Sequence, residues 1–161
     1  WLKEARSTNK PIFGICGGHQ MMCSLLGSEV ADIETGVVDG SYPVDLTEAG
    51  KGHFLFKDIA PDLRFHFGNY QHAVQPPKTS TVLATRPEMP AAALDHGSNW
   101  VSVQFHPEAD RDIFALNWLE TYPEKMANYK PLPLAPLMLR NFLQKSLNIG
   151  NTEINAQEAA H

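Results

Sequence analysis

The sequence predicts an α/β fold, and three observations carry that reading. A short apolar run, Pro11-Ile12-Phe13, passes through a glycine-rich junction into a helix-like stretch over residues 21–27. Several β-rich runs follow between Tyr42 and Phe105. A helical pattern then covers residues 110–120, with Ile113, Phe114, Leu116 and Leu119 forming its apolar side.

Taken in chain order, Trp1-Leu2-Lys3-Glu4-Ala5 reads as the end of a helix leading into the strand at Pro11. Gly27 is placed to end the second helix as a C-cap. Tyr42-Pro43-Val44-Asp45-Leu46 is a strand-like piece before a Glu48-Ala49-Gly50 turn, and His53-Phe54-Leu55-Phe56 gives an apolar anchor. Leu63-Arg64-Phe65-His66-Phe67 alternates aromatic with polar, which predicts a half-buried strand. Thr81-Val82-Leu83-Ala84-Thr85 and Ala91-Ala92-Ala93-Leu94-Asp95 are further strands. His96-Gly97-Ser98-Asn99 forms a hairpin loop into Val101-Ser102-Val103-Gln104-Phe105.

Beyond the 110–120 helix, Tyr122-Pro123 is a breaker, and Pro131, Pro133 and Pro136 make a stiff connector. Residues 137–147 form an amphipathic helix through Leu139, Phe142, Leu143 and Leu147, which packs back on the domain or meets a partner. From Asn148 the chain is polar and reads as disordered. The expected organisation is one domain over residues 1–120, then connector, helix and polar tail over 121–161.

Composition narrows the function. The length of 161 residues suits one domain, and 43% hydrophobic residues suffice for a globular core. A net charge of −5 with scattered charges argues against a nucleic-acid surface. No apolar run is long enough to span a bilayer, and no signal-peptide pattern is present, so no membrane partner is expected. The 2 cysteines, Cys16 and Cys23, lie along one helix face and not side by side, which predicts free thiols and a reducing, cytoplasmic compartment.

The chemistry concentrates in Gly14-Ile15-Cys16-Gly17-Gly18-His19-Gln20. A cysteine framed by glycines at a strand-to-helix junction is what a strained turn presenting a nucleophile requires. Side chains at Gly14 and Gly18 would collide with neighbouring backbone in so sharp a turn. The helix N-terminus beside the Cys16 sulfur favours thiolate over thiol. A phosphate loop fits less well, because the Lys-Ser/Thr of a Walker sequence and the dinucleotide spacing are both absent. The plainer alternative is a tight turn with a buried cysteine acting as a small hydrophobe. A second motif decides against it: His106-Pro107-Glu108 ends the strand at Phe105 and offers a general base with a carboxylate to orient it.

Together, G-I-C-G-G-H-Q and V-Q-F-H-P-E resemble the class I, triad-type glutamine amidotransferases, over roughly residues 1–120. Members similar to stand-alone GMP-synthase-like amidotransferases are the nearest match. The resemblance implies a flavodoxin-like three-layer sandwich with a mostly parallel central sheet. It implies Cys16 as nucleophile, His106 as proton shuttle, Glu108 as its orienter, Gly17 N–H as half of an oxyanion hole, and Gln20 as a contact to substrate glutamine. Glutamine would be the substrate, no cofactor or metal would be needed, and the ammonia would pass to a synthetase domain or subunit. Family members carry strands and a glycine-rich loop ahead of Trp1, so the chain reads as N-terminally truncated by on the order of 70 residues, at roughly 30 per βαβ unit.

Two other readings stay open: a γ-glutamyl peptide hydrolase using the same three residues, and a catalytically silent fragment or regulatory binding module. His19 reads as packing support and Cys23 as core filling. His53, His66, His72 and His96 lack metal-ligand spacing. Gly68-Asn69-Tyr70-Gln71-His72 lies where relatives line the glutamine pocket, or is an ordinary surface loop. Asp39, Asp45 and Asp58 read as solvated charges.

Overall fold

A computed structural model describes residues 1–59, 63–118 and 123–158. The chain opens with α1 (Leu2–Ser7), β1 (Ile12–Ile15) and α2 (Gly17–Leu25). Next come β2 (Val30–Asp32), β3 (Val38–Pro43), β4 (Asp45–Leu46) and α3 (Glu48–Lys51). A 3₁₀ turn (Phe54–Phe56) leads to β5 (Arg64–Asn69), β6 (Gln71–Ala73), β7 (Thr81–Arg86), β8 (Met89–Asp95) and β9 (Trp100–Val103). Helix α4 (Arg111–Trp118), a second 3₁₀ turn (Pro123–Asn128) and α5 (Leu137–Glu158) complete it.

The central sheet has five strands in the order β1-β9-β8-β7-β4. Two-stranded ribbons, β2–β6 and β3–β5, flank it. Phe13 and Gly14 point to opposite faces of β1, as successive strand residues must. Phe13 meets Phe142 of α5, with ring centroids 5.2 Å apart. A Cβ on Gly14 would run into Met22 of α2 and come within 3.0 Å of Gly18 backbone. Helices therefore cover both faces, and the glycine is what lets α2 settle against the strand.

The α/β class holds, but within the described residues the sheet is mixed, not mostly parallel. Only β1 and β9 run parallel, while β8–β9, β7–β8 and β4–β7 are antiparallel. The physical reason is connection length: tight hairpins join β7, β8 and β9, and a parallel neighbour needs a long crossover. The sequence-read strand over 42–46 divides at Val44, which is itself buried. Its first part pairs with β5 and its last with β7.

Strand β5 is more deeply buried than its alternation predicts. Phe65, His66 and Phe67 are all 0% exposed. Phe65 stacks on Phe105 at 4.0 Å, while His66 packs tilted against the stacked rings of Phe114 and Tyr129. Helix α4 departs in the other direction: Phe114 is buried, but Ile113 and Leu116 are 51% and 78% exposed. Leu119 lies outside the described residues, as does Tyr122 of the expected breaker.

Helix α5 packs back on the domain through a different stripe from the one its leucines suggest. Met138 and Asn141 are buried, and Leu143 and Leu147 are 59% and 68% exposed. Asn141 Nδ2 donates to the Leu55 and Lys57 carbonyls at 3.1 and 2.8 Å, closing backbone acceptors that the 3₁₀ turn leaves open. Those two bonds, with Met138 and Phe142, set the rotation of the helix against the simple hydrophobic pattern. The helix continues to Glu158, past the point where the polar composition predicted disorder. Asp39 is likewise not a simple solvated charge, since its carboxylate pairs with Lys125 at 2.8 Å. Among the described residues no helix is long and apolar enough to cross a membrane.

Candidate active site

The site forms outside the C-terminal ends of the parallel pair β1 and β9, where open α/β sheets commonly bind ligands. Cys16 follows β1 directly and its N–H donates to the Val103 carbonyl at 2.9 Å. Its own carbonyl accepts from Gln20 N at 3.0 Å, opening α2. One residue must thus end a strand and begin a helix, and it does so at φ 49°, ψ −105°. A side-chain-bearing residue held there is strained, by roughly 1–3 kcal/mol, a pattern that clusters at functional positions. Of the framing glycines, only Gly14 is sterically required; a Cβ on Gly18 would meet nothing within 4 Å. Gly17 is open in the same way, with its N–H at the first turn of α2.

His106 is carried in by the segment leaving β9. Its N–H donates to the His66 carbonyl at 2.8 Å, so buried β5 fixes the approach. Nδ1 lies 2.7 Å from Glu108 Oε1, and the ring meets Phe114 edge-on at 5.3 Å. Burial alone would lower the basicity of His106, but hydrogen bonds to Cys16 and Glu108, with the charges of both, push it up to about 9. Glu108 holds one ring nitrogen, and the other is left to serve the sulfur. Cys16, His106 and Glu108 line one cleft, about 500 Å³ in volume, with Gly68, Ala109, Ile113 and Phe114.

Gln20 faces an adjoining hollow with Cys16, Asn69 and Gln71. Its Nε2 donates to the Gln71 carbonyl at 2.8 Å, so the Gly68–His72 region does border the cysteine. His19 and Cys23 point away from the cleft and are 0% exposed. His96, assigned only to a hairpin loop by sequence, is also buried and belongs to a polar chain with His19 and Ser102. No group of three or more His, Cys, Asp and Glu side chains is disposed to hold a metal among the described residues.

The structure is thus an α/β protein with a cysteine, a histidine and a carboxylate gathered at the strand ends. The family model for class-I glutamine amidotransferases matches residues 1–121, and the chain belongs to that family. Its members are generally glutamine-hydrolysing enzymes that transfer the ammonia. A glutamine-hydrolyzing GMP synthase of Clostridium botulinum is 30% identical over 129 residues, covering 80% of this chain and 24% of that protein. The corresponding protein of Aeropyrum pernix is 30% identical over 114 residues, covering 68% of this chain and 22% of the relative. The chain thus spans about a quarter of the length of these relatives. The solved structure of a glutamine amidotransferase from Thermotoga maritima superposes with a TM-score of 0.71 at 22% identity, covering 89% of this chain and 65% of that one. That likeness extends the agreement to the flavodoxin-like fold.

Proposed function

We propose that this chain carries out the glutaminase half-reaction: Cys16 sulfur attacks the side-chain amide carbon of glutamine. The adduct's oxygen takes the negative charge beside the Gly17 N–H, and protonated His106 gives its proton to the departing nitrogen. The carbon–nitrogen bond breaks, ammonia leaves, and a glutamyl thioester remains on Cys16. His106, now neutral, removes a proton from water, whose oxygen displaces the sulfur to release glutamate. Glu108 holds the imidazole tautomer through both steps. Gln20 positions the substrate from the adjoining hollow.

The observation that carries this reading is the His106 ring, bridged between Glu108 and Cys16 and held in its protonated form up to about pH 9. A general acid is needed at neutral pH, and the raised basicity of His106 supports that role. No cofactor enters the scheme. Similarity to GMP synthases supports transfer of the ammonia to a synthetase domain or subunit. Residues 1–120 are read as the amidotransferase unit, followed over 121–161 by a Pro-rich connector, a helix and a polar tail. Two free thiols support a reducing, cytoplasmic setting.

The test is ammonia release from glutamine, with Cys16→Ala as blank and a γ-glutamyl peptide as second substrate. Turnover of glutamine that vanishes in the Ala variant is expected. Release from the peptide alone would replace the reading with a γ-glutamyl hydrolase. Absence of both would mark a silent module.

A further inference from the structure

We propose that Asn69 is a further catalytic side chain, donating a hydrogen bond to the Cys16 sulfur and presenting its carbonyl oxygen to the substrate amide. The proposal rests on the reading of Cys16 as the glutaminase nucleophile. Asn69 ends β5 and is 2% exposed. Its Nδ2 lies 3.4 Å from Cys16 Sγ and 3.2 Å from the Gln104 carbonyl oxygen. A backbone carbonyl only accepts, so the Gln104 contact settles which end of the amide is nitrogen. Both Nδ2 hydrogens are then committed, one to the backbone and one to the sulfur. The amide joins the ends of three segments at the nucleophile: β5 through its own backbone, the exit of β9 through Gln104, and β1 through Cys16.

Such a donor favours the ionised sulfur over the thiol, because hydrogen bonds to a charged acceptor are the stronger kind. His106 reaches the same sulfur. Asn69 thus leaves the ion-pair partner free to rotate toward the leaving nitrogen without stripping the sulfur of every donor. The other end of the amide is unusual. Oδ1 is buried with no hydrogen-bond partner among the described residues, a condition natural interiors avoid unless the group is used. Asn69 as a residue borders the hollow shared with Cys16, Gln20 and Gln71. A primary carboxamide brings an –NH₂ donor to that hollow. Asn69 makes and breaks no covalent bond; the proton for ammonia still comes from His106.

Asn69→Asp and Asn69→Leu separate the two ends of the side chain. Aspartate keeps an acceptor and loses the donor; leucine loses both. The first readout is alkylation of Cys16 by iodoacetamide at pH 7, located by peptide mass so that buried Cys23 does not intrude. Both variants should react about tenfold more slowly than wild type, the scale of one charge-assisted hydrogen bond. In glutamine turnover, Asn69→Asp should lower kcat with little change in KM, and Asn69→Leu should lower kcat and raise KM. Should leucine prevent folding, judged by circular dichroism, Asn69→Ser takes its place, being too short to reach the sulfur. Alkylation within twofold of wild type in folded variants overturns the proposal. A wild-type chain that alkylates readily and never releases ammonia overturns the glutaminase reading, and leaves the Asn69 contact to stand or fall on alkylation alone.

Discussion

Cys16 and Cys23 stand at the two ends of one short helix, each with a histidine beside it, and their surroundings treat them in opposite ways. Cys16 is half-buried at a strained turn, and its histidine is held protonated up to about 9 by the sulfur and Glu108. Cys23 is fully buried among Ala73, Ala91 and Leu94, with His19 Nε2 3.6 Å from its sulfur. Burial pushes the Cys23 thiol up to about 12. Burial, then the neighbouring His96, brings His19 down to about 3. The same two residue types meet at both ends, but one histidine is pushed up and the other down. What separates them is a carboxylate and access to solvent.

The neutral pair belongs to a chain of buried polar contacts. His19 Nδ1 lies 2.7 Å from Ser102 Oγ, Ser102 Oγ lies 2.7 Å from His96 Nε2, and His96 Nδ1 lies 2.7 Å from Ser80 Oγ. Every member works only as a neutral group. Burial first, and then the Arg6 charge, hold His96 down to about 4, in keeping with that chain. It ties α2, and with it the cysteine turn, to β9 and the hairpin before it.

The largest effect expected from breaking this contrast is at Glu108. Glu108→Ala leaves His106 in reach of Cys16 but frees the ring to choose its tautomer. Glutamine turnover should fall by about 10²- to 10³-fold, not to the Cys16→Ala blank, because the carboxylate orients and does not react. Equal and total loss in both variants would contradict that division of roles.

A second prediction uses pH to separate the two pairs. His106 titrates higher in the folded chain than its ordinary 6.5, so its stabilisation is complete below that value and drains away as pH rises toward 9. His19 and His96 titrate lower than 6.5, so the unfolded chain takes up protons first on acidification. Their neutral network costs stability as pH falls from 6.5 toward about 3. Thermal midpoints should therefore decline on both sides of near-neutral pH. Cys16→Ser should flatten the alkaline side, and His19→Asn the acid side. An unchanged alkaline slope in Cys16→Ser would show that the sulfur is not what holds the His106 proton.

The contrast also explains what the sequence could disclose. The turn at Cys16 and the strand ending at His106 were legible because their signals are local: glycines where the chain bends sharply, and apolar runs that stop at a charge. Glu108 was legible beside His106 for the same reason, but specific contacts made from far along the chain were not. Asn69 reaches Cys16 from 53 positions away, and Ser102 meets His19 across 83. Nothing in the composition of His96-Gly97-Ser98-Asn99 separates a solvated hairpin from the lid of a buried network. The burial of β5 failed to show for a related reason, since the second layer over His66 comes from Phe114 and Tyr129, far along the chain. Helix α5 turned the other way because two backbone carbonyls at residues 55 and 57 recruit Asn141, and an apolar moment carries no record of such acceptors.

The smallest expected effect grades the buried chain by position. Ser102 is its midpoint, 0% exposed and serving two histidines at once. Ser102→Ala removes a donor and an acceptor together, leaving two buried imidazole nitrogens unpaired, and should cost about 2–3 kcal/mol. Ser80 is its half-exposed end, where water can replace the lost hydroxyl, so Ser80→Ala should cost about 1 kcal/mol or less. In a domain of this size those losses correspond to thermal midpoints lower by roughly 4–12 °C and roughly 2–4 °C. Glutamine turnover by Ser80→Ala at 25 °C should stay within about twofold of wild type, since the link from Ser102 to α2 is intact. Equal losses of stability in the two variants would mean that water already reaches Ser102, and that the network does not owe its neutral state to exclusion of solvent.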